Sequence, residues 1–262
     1  MAVNIVVCIK QVPDTTEVKL DPKTGTLIRE GVPSIINPDD KAGLEAALKI
    51  KDEIGAKVTV ISMGPPQADL VLREALAMGA DEAILLTDRA FGGADTWATS
   101  ITIAAALKNL KYDLIITGRQ AIDGDTAQVG PQIAEHLRLP NISYAEEIKI
   151  DGNYITVKRQ YEDRYDVLKA KLPILITALA ELNIPRYMSP GGIFDAYREK
   201  EVKVWTLNDI DVNLDDIGLK GSPTKVKKSF TKGAKQAGKV YNVDPQESAS
   251  IIINKMKEKF IL

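Results

Sequence analysis

A doubly wound α/β fold built on a mostly parallel sheet is what this 262-residue sequence predicts, on three observations. Short apolar, β-branched runs alternate with helical periods through the first 140 residues. Those runs lack polar alternation, as strands covered on both faces should. From residue 146 the pattern changes to apolar–polar alternation about Asp151-Gly152, a hairpin signal.

The elements follow in order. Strands are predicted at 4–9 (NIVVCI), 57–63 (KVTVISM), 82–87 (EAILLT) and 113–118 (DLIITG). An insertion at 18–31 reads as a small hairpin closed by Pro22-Lys23-Thr24-Gly25. A helix over 39–54 places Leu44, Ala47 and Leu48, with Ala42 or Ile54, toward one side. A second, ADLVLREALAMGA, stops at Gly79, which tolerates a left-handed turn. Asp95 is the N-cap of a third, carrying Trp97, Ile101, Ala105 and Leu107. After the 146–160 hairpin, YDVLKAKLPILITAL continues as strand, so that antiparallel strands extend the sheet within one domain, residues 1–183. Residues 184–262 have proline and paired glycine, a short strand within 201–207, a polar tail and an amphipathic helix over 247–262. A long, weakly ordered stretch before a terminal helix is expected to embrace another subunit.

Composition narrows the function. With 34 basic and 36 acidic side chains, the chain lacks the basic face of a nucleic-acid protein. The one basic run, 225–239, reads as a solvated tail. A single cysteine, Cys8, excludes an internal disulfide and a multi-cysteine metal site, and its apolar strand makes it a small core residue. The sequence opens directly on a strand, without a leader pattern, and has no apolar run long enough for a membrane span. The expectation is a soluble, cytoplasmic protein that binds neither nucleic acid nor membrane. The single histidine, His136, lies in a helical pattern beside Glu135 and reads as structural; no second histidine supports a zinc site. Glu162-Asp163 reads as surface.

In open α/β sheets ligands bind beyond the carboxyl ends of the strands. Such ends fall at Cys8–Pro13, Met63–Pro65 and Gly118–Gly124, with the Asn37-Pro38-Asp39-Asp40 turn opening a helix nearby. Neither G-x-G-x-x-G after a strand nor G-x-x-x-x-G-K-[ST] occurs. That removes most support for a dinucleotide dehydrogenase or an ATP-driven motor. Instead the helix after the fourth strand is expected to begin between 124 and 129, capped by Asp125. The Thr126 hydroxyl and the Ala127 and Gln128 amides would then face a phosphate. Pro131 strains that reading, because it cannot donate a helical hydrogen bond, although Gly130 leaves room for a local break. A plain turn and cap over Asp123-Gly124-Asp125 remains the alternative.

Taken together, VCIKQVPDT, INPDDKAGLEAAL, ISMGPPQA, ALAMGADEAILL, GRQAIDGDTAQVG, VKRQYEDRYDVLKAKLPILIT, NIPRYMSPGGIF and GLKGSPTKV resemble, in order and over nearly the whole chain, the beta subunit of electron-transfer flavoproteins. Arg164 departs from the small or acidic residue usual in that family. The resemblance implies a Rossmann-like, adenine-nucleotide-binding fold and a heterodimer with an alpha subunit. It implies a nucleotide cradle formed by Cys8, Lys10, Asn37, Pro38, Asp39, Asp40, Met63, Gly64, Gly118, Arg119, Gln120, Ala121, Ile122, Asp123, Gly124, Asp125, Thr126, Ala127, Gln128 and Val129.

Two subclasses fill such a cradle differently. The ordinary one holds structural AMP, with the single FAD in the alpha subunit. The electron-bifurcating one, which this sequence resembles in AIDGDTAQVGPQIAEHL and GGIFDAYREKEVKVWTL, holds a second FAD. There FAD accepts hydride from NADH and divides the electrons between ferredoxin and a partner dehydrogenase, a chemistry of anaerobic metabolism. The chemistry belongs to the flavin, so no catalytic residue and no metal is implied in this chain. Activity would arise only in complex with the alpha subunit and the partner. Lys10 and Arg119 are the candidate cations near a flavin ring. Arg186, Tyr187, Met188, Pro190, Gly191, Ile193 and Phe194 fall in the family's partner-docking segment. Pro190 replaces the usual apolar anchor, and Gly191-Gly192 also departs from it. The implied partner is a flavin dehydrogenase of acyl-CoA dehydrogenase or lactate-dehydrogenase type. A stand-alone nucleotide-binding regulator without redox function is the reading from a different class.

Overall fold

A computed structural model describes residues 3–14, 33–227 and 238–262. The hairpin expected at 18–31 and most of the basic run 225–239 lie outside the described residues. The chain divides into two compact units, up to Lys228 and from Ser229 onward.

In the first unit the order is β1 (Asn4–Cys8), β2 (Gln11–Pro13), β3 (Ser34–Ile36), α1 (Pro38–Ile54), β4 (Lys57–Met63), α2 (Asp69–Met78), β5 (Glu82–Leu86), α3 (Thr96–Leu107), β6 (Leu114–Gly118) and α4 (Val129–Leu137). There follow β7 (Asn141–Asp151), β8 (Tyr154–Gln160), β9 (Tyr165–Lys171), β10 (Ile174–Ala178), α5 (Pro190–Arg198), β11 (Val202–Trp205) and the short α6 (Gly218–Gly221). Nine strands form one sheet in the order β11-β5-β4-β1-β6-β10-β7-β8-β9, parallel from β11 to β7 and antiparallel across β7, β8 and β9. Strands β2 and β3 pair separately.

Each central strand is apolar throughout because both faces are covered. Ile5 and Val7 of β1 join the core under α1 and α2, while Val6 joins the one under α3 and α4. Leu114 and Ile116 against Ile115 repeat that division on β6. In α1 the buried face is Ala42, Leu44, Ala47 and Leu48; Ile54 is half exposed. Gly79, at φ 127°, ends α2, and the Asp95 side chain accepts from the Ala98 amide at the start of α3, as expected for both.

Two expectations are corrected. YDVLKAKLPILITAL is two strands with different fates: β9 is the antiparallel edge, but β10 is parallel and inserted between β6 and β7. All five residues of β10 are buried, so its unbroken apolar run has the same cause as that of β1. The stretch expected to lose regular order contains α5. Ser189 caps it by accepting from the Gly192 amide at 2.9 Å, and Pro190 occupies the first helical position, where its fixed φ helps and its missing N–H costs nothing. α5 packs on α2 so closely that a Cβ on Gly192 would overlap the Ala77 carbonyl. β11 then adds an edge strand beside β5.

The described part of the second unit contains α7 (Pro245–Glu258), within the terminal helix expected from sequence. It is capped by Asp244, which accepts from the Gln246 and Glu247 amides. No helix among the described residues is long and apolar enough to cross a membrane.

Candidate functional site

From β1 the chain moves outward to β4 and β5, then returns to place β6 on the other side of β1. The carboxyl ends of β1 and β6 therefore feed loops that diverge, which leaves a crevice where such folds bind ligands. Cys8, Lys10 and the loop 119–128 lie at that edge, with Met63 and Gly64 at the end of neighbouring β4.

The first turn of α1 reaches into this edge. Asn37 precedes it, Pro38 begins it, and Asp39 and Asp40 follow, where carboxylates meet the positive end of the helix dipole. The Asp40 side chain is buried and both of its oxygens are occupied. Oδ2 accepts from the Lys10 amide at 2.8 Å and Oδ1 from the Gly118 amide at 2.9 Å, joining the ends of β1 and β6. Burial pushes its carboxyl up to about 7 against the hydrogen bonds of Asn37, Lys10 and Gly118, with Asp39 adding to the rise. Asn37 grips the next loop from both sides: its Oδ1 accepts from the Ile122 amide at 3.0 Å and its Nδ2 donates to the Gln120 carbonyl at 2.8 Å.

Both candidate cations are already paired. The Lys10 ammonium lies 2.6 Å from Asp123, whose side chain is only 5% exposed. The Arg119 Nε lies 3.3 Å from Asp39 Oδ2. Both atoms are buried and neither completes a hydrogen bond, so this is an ion pair without alignment. Burial raises the Asp39 carboxyl, with Arg119 opposing. Neither pairing is visible in sequence, since Lys10 and Asp123 stand 113 residues apart.

Beyond Gly118 the chain makes a tight turn in which the Gly124 and Asp125 amides both donate to the Ala121 carbonyl. Asp125 then enters the left-handed region at φ 51° and Ala127 at φ 52°. For alanine that conformation costs on the order of 1 kcal/mol. Asp125 does not cap the following helix, as was expected of it; its carboxylate accepts from Gln120 Nε2 at 2.9 Å. α4 starts at Val129, after Gln128, so that Pro131 falls in the first turn, where no intrahelical donor is required. The first helical hydrogen bond runs from the Gln132 amide to the Gln128 carbonyl.

The result is a run of open donors. The amides of Thr126, Ala127, Gln128, Val129 and Gly130 donate to no acceptor among the described residues. Left-handed turns that gather successive N–H groups ahead of a helix make an anion-binding concavity. The Thr126 side chain is exposed beside them. Gly124 stands clear of all neighbours, whereas a Cβ on Gly130 would overlap the Thr117 hydroxyl, which seats the start of α4 tightly on β6. Thr96, not anticipated from sequence, donates to Gln128 Oε1 at 3.0 Å and brings the start of α3 to the same loop. Its only sequence signal was the Asp95 cap.

Several other side chains are structural. Burial pushes the Cys8 thiol up to about 12, with Asp40 adding to it, so it is no nucleophile. Gly64 donates its amide to Leu86 and is spent within the chain. His136 lies 3.1 Å from the Ser100 hydroxyl and edge-on to Trp97, and burial lowers its pKa.

The predicted docking residues divide into two groups. Arg186 turns inward: its guanidinium meets the buried Glu45 at 2.9 and 3.0 Å and Asp52 at 2.7 Å, and its amide also donates to Glu45. Those partners raise its pKa further. Tyr187 is 96% exposed, and Met188, Ile193 and Phe194 are exposed with it. Pro190 and Gly191 open α5, with nothing near Gly191.

Comparison with known proteins gives consistent matches. The electron transfer flavoprotein domain matches residues 24–210. An electron transfer flavoprotein subunit beta of Clostridium acetobutylicum is 63% identical over 98% of both chains. A caffeyl-CoA reductase-Etf complex subunit CarD of Acetobacterium woodii is 58% identical over 99% of this chain and 100% of its own. An acryloyl-CoA reductase electron transfer subunit gamma of Anaerotignum propionicum is 46% identical over the same shares.

Proposed function

This chain belongs to the electron transfer flavoprotein family and is a beta subunit, and from that premise we propose that its cradle holds FAD in an electron-bifurcating heterodimer. The observation that carries the reading is the run of open amides from Thr126 to Gly130 at the β1/β6 crevice. A phosphate or pyrophosphate fits it by chemistry, since successive N–H groups and a helix N-terminus complement negative charge. When bound there, FAD would supply hydride acceptance from NADH and onward delivery of electrons to ferredoxin and a partner flavin dehydrogenase.

The chain's own share is to bind and to orient. The amides from Thr126 to Gly130 and the Thr126 hydroxyl hold the phosphates. Asn37, Asp39, Asp40 and Asp123 fix the surrounding loops. The nearest cations are neutralised, so the binding rests on backbone dipoles. Its similarity to subunits named for caffeyl-CoA and acryloyl-CoA reductases supports a partner of acyl-CoA dehydrogenase type. Tyr187, Met188, Ile193 and Phe194 form the apolar contact for it, of the kind enriched in interface cores, while Arg186 anchors the segment behind them. Residues 184–262 reach the alpha subunit through the terminal helix, in a cytoplasmic complex.

The test is co-expression with the alpha subunit, acid release of bound nucleotide and quantitation of FAD and AMP. Two FAD per heterodimer without AMP, and bleaching of flavin absorbance by NADH alone, are expected. One FAD with one AMP would make the chain the scaffold of an ordinary electron carrier and would defeat the bifurcation reading.

A further inference from the structure

The Asn37–Asp40 turn does something other than touch a ligand. The two backbone hydrogen bonds to the Asp40 oxygens come from the ends of two strands, and both polar atoms of Asn37 reach the loop after the second strand. Four contacts from one helix start therefore fix residues 118–122 against β1. We infer that Asn37 and Asp40 are positioning residues for the cradle, forming a clasp that ionisation of Asp40 loosens. The inference rests on the proposed nucleotide site only for the use to which the cradle is put.

The groups around the clasp leave Asp40 as the proton-responsive member. On its own helix stand Asn37, which is neutral, and Asp39, whose charge is met by Arg119 from the loop. From β1 come the Cys8 thiol, held neutral by its raised pKa, and Lys10, whose ammonium is on Asp123. Asp40 thus has two backbone amides and the Asn37 side chain as donors but no cation of its own. Amides favour the carboxylate; burial disfavours it and prevails, so the closed clasp releases its proton near pH 7. An opened clasp hydrates the carboxylate and returns it to the ordinary aspartate value of about 4.

The sign follows from those two values. The closed form binds the proton more tightly, so opening releases it, and opening is favoured as pH rises from about 4 to about 7. The opening constant should climb up to about tenfold per pH unit in that window and level off above it. Stability contributed by the protonated clasp is fully present below the ordinary aspartate value and is lost by the time pH passes the folded one.

The experiment is hydrogen exchange by mass spectrometry on the full chain in complex with its alpha subunit. Peptides covering 9–12 and 118–125 are followed from pH 4.5 to 8.5, with rates corrected for intrinsic exchange. The expected result is a rise in opening up to pH 7 in the wild type and a flat profile in Asp40→Asn. A flat wild-type profile, or an unchanged slope in Asp40→Asn, overturns the clasp. Should Asp40→Asn fail to assemble, the profiles of Asn37→Ala and Asn37→Asp decide. Asn37→Asp retains an acceptor for the Ile122 amide, so it should protect 118–125 at least threefold better than Asn37→Ala. Equal exchange in the two overturns the inference. Nucleotide release from the same samples is scored separately: a responsive clasp with no nucleotide refutes the cofactor reading alone, and bound nucleotide with an unresponsive clasp refutes the clasp alone.

Discussion

Replacing Gly118 with alanine tests whether the strand end is built around Asp40. A Cβ at Gly118 would overlap Asp40 Oδ1 and stand 2.9 Å from both the Asp39 Cβ and the Asp40 amide nitrogen. The carboxylate cannot swing aside, because its other oxygen is held by the Lys10 amide, and the other two obstacles, a Cβ and a backbone nitrogen, are fixed to the helix start. Relief requires α1 to shift away from β6, at the cost usual for overpacking, about 1–3 kcal/mol. The shift also stretches the Gly118 hydrogen bond to a buried acidic group, worth about 1.5–3 kcal/mol. Their sum is roughly 2.5–6 kcal/mol. At about 2–4 °C per kcal/mol for a chain of this size, the melting temperature should fall by roughly 5–24 °C. Gly124→Ala is the control: nothing lies within 4 Å of a Cβ there, and its change should stay within about 0.5 kcal/mol. Thermal scans of both variants in the heterodimer decide the matter. If Gly118→Ala melts with Gly124→Ala, the helix start is not seated on the strand end as described.

Other perturbations separate roles that the sequence ran together. Arg186→Met leaves Glu45 buried without its cation; the loss should be about 2–3 kcal/mol, below that of a wholly buried pair because the guanidinium is partly exposed, as read by urea denaturation. Tyr187→Ala should leave stability unchanged but weaken turnover with the partner dehydrogenase, seen as a raised KM; a destabilised Tyr187→Ala would mean the ring packs inward. Cys8, which is partly buried, should react with a thiol reagent at pH 8 about three orders of magnitude more slowly than a free thiol, since its pKa rises from 9.0 to about 12; rapid labelling of the native complex would refute the raised pKa. Ala127→Gly should relieve about 1 kcal/mol of left-handed strain, and a destabilised variant in the same denaturation assay would place Ala127 elsewhere in conformational space.

What the sequence disclosed was local in cause. Strands sandwiched between helices had to be apolar throughout, and the Asp95 cap and the Gly79 stop were chemical necessities at helix ends. α4 starts at the far limit of the expected range, at Val129, and only its cap was misassigned although the determinant was present. Asp125 has the preference of a cap, but a helix beginning beside it would bury Pro131 beyond the first turn, and Pro131 prevails. α5 was likewise written in Ser189-Pro190 and was obscured by the glycine pair. The insertion of β10 between β6 and β7 and the hold of Arg186 on Glu45, 141 residues away, depend on which surfaces meet after folding. No period or cap encodes such a meeting.

The acidic character of the loop is compatible with the phosphate site proposed above. Carboxylates facing an incoming anion would repel it, yet Asp39, Asp40 and Asp123 are each turned inward and nearly inaccessible. Each takes up a donor that would otherwise compete for the loop: the Arg119 and Lys10 cations, and the amides that end β1 and β6. With those donors consumed, the loop is fixed and the amides from Thr126 to Gly130 are the ones left facing out. A cradle built this way offers an anion fixed dipoles in place of flexible charged side chains, and little ordering entropy is lost when the anion binds. For the anion proposed above, the three inward-turned aspartates would oppose its charge only at a distance, while the exposed Asp125 beside the open amides has its carboxylate taken up by Gln120.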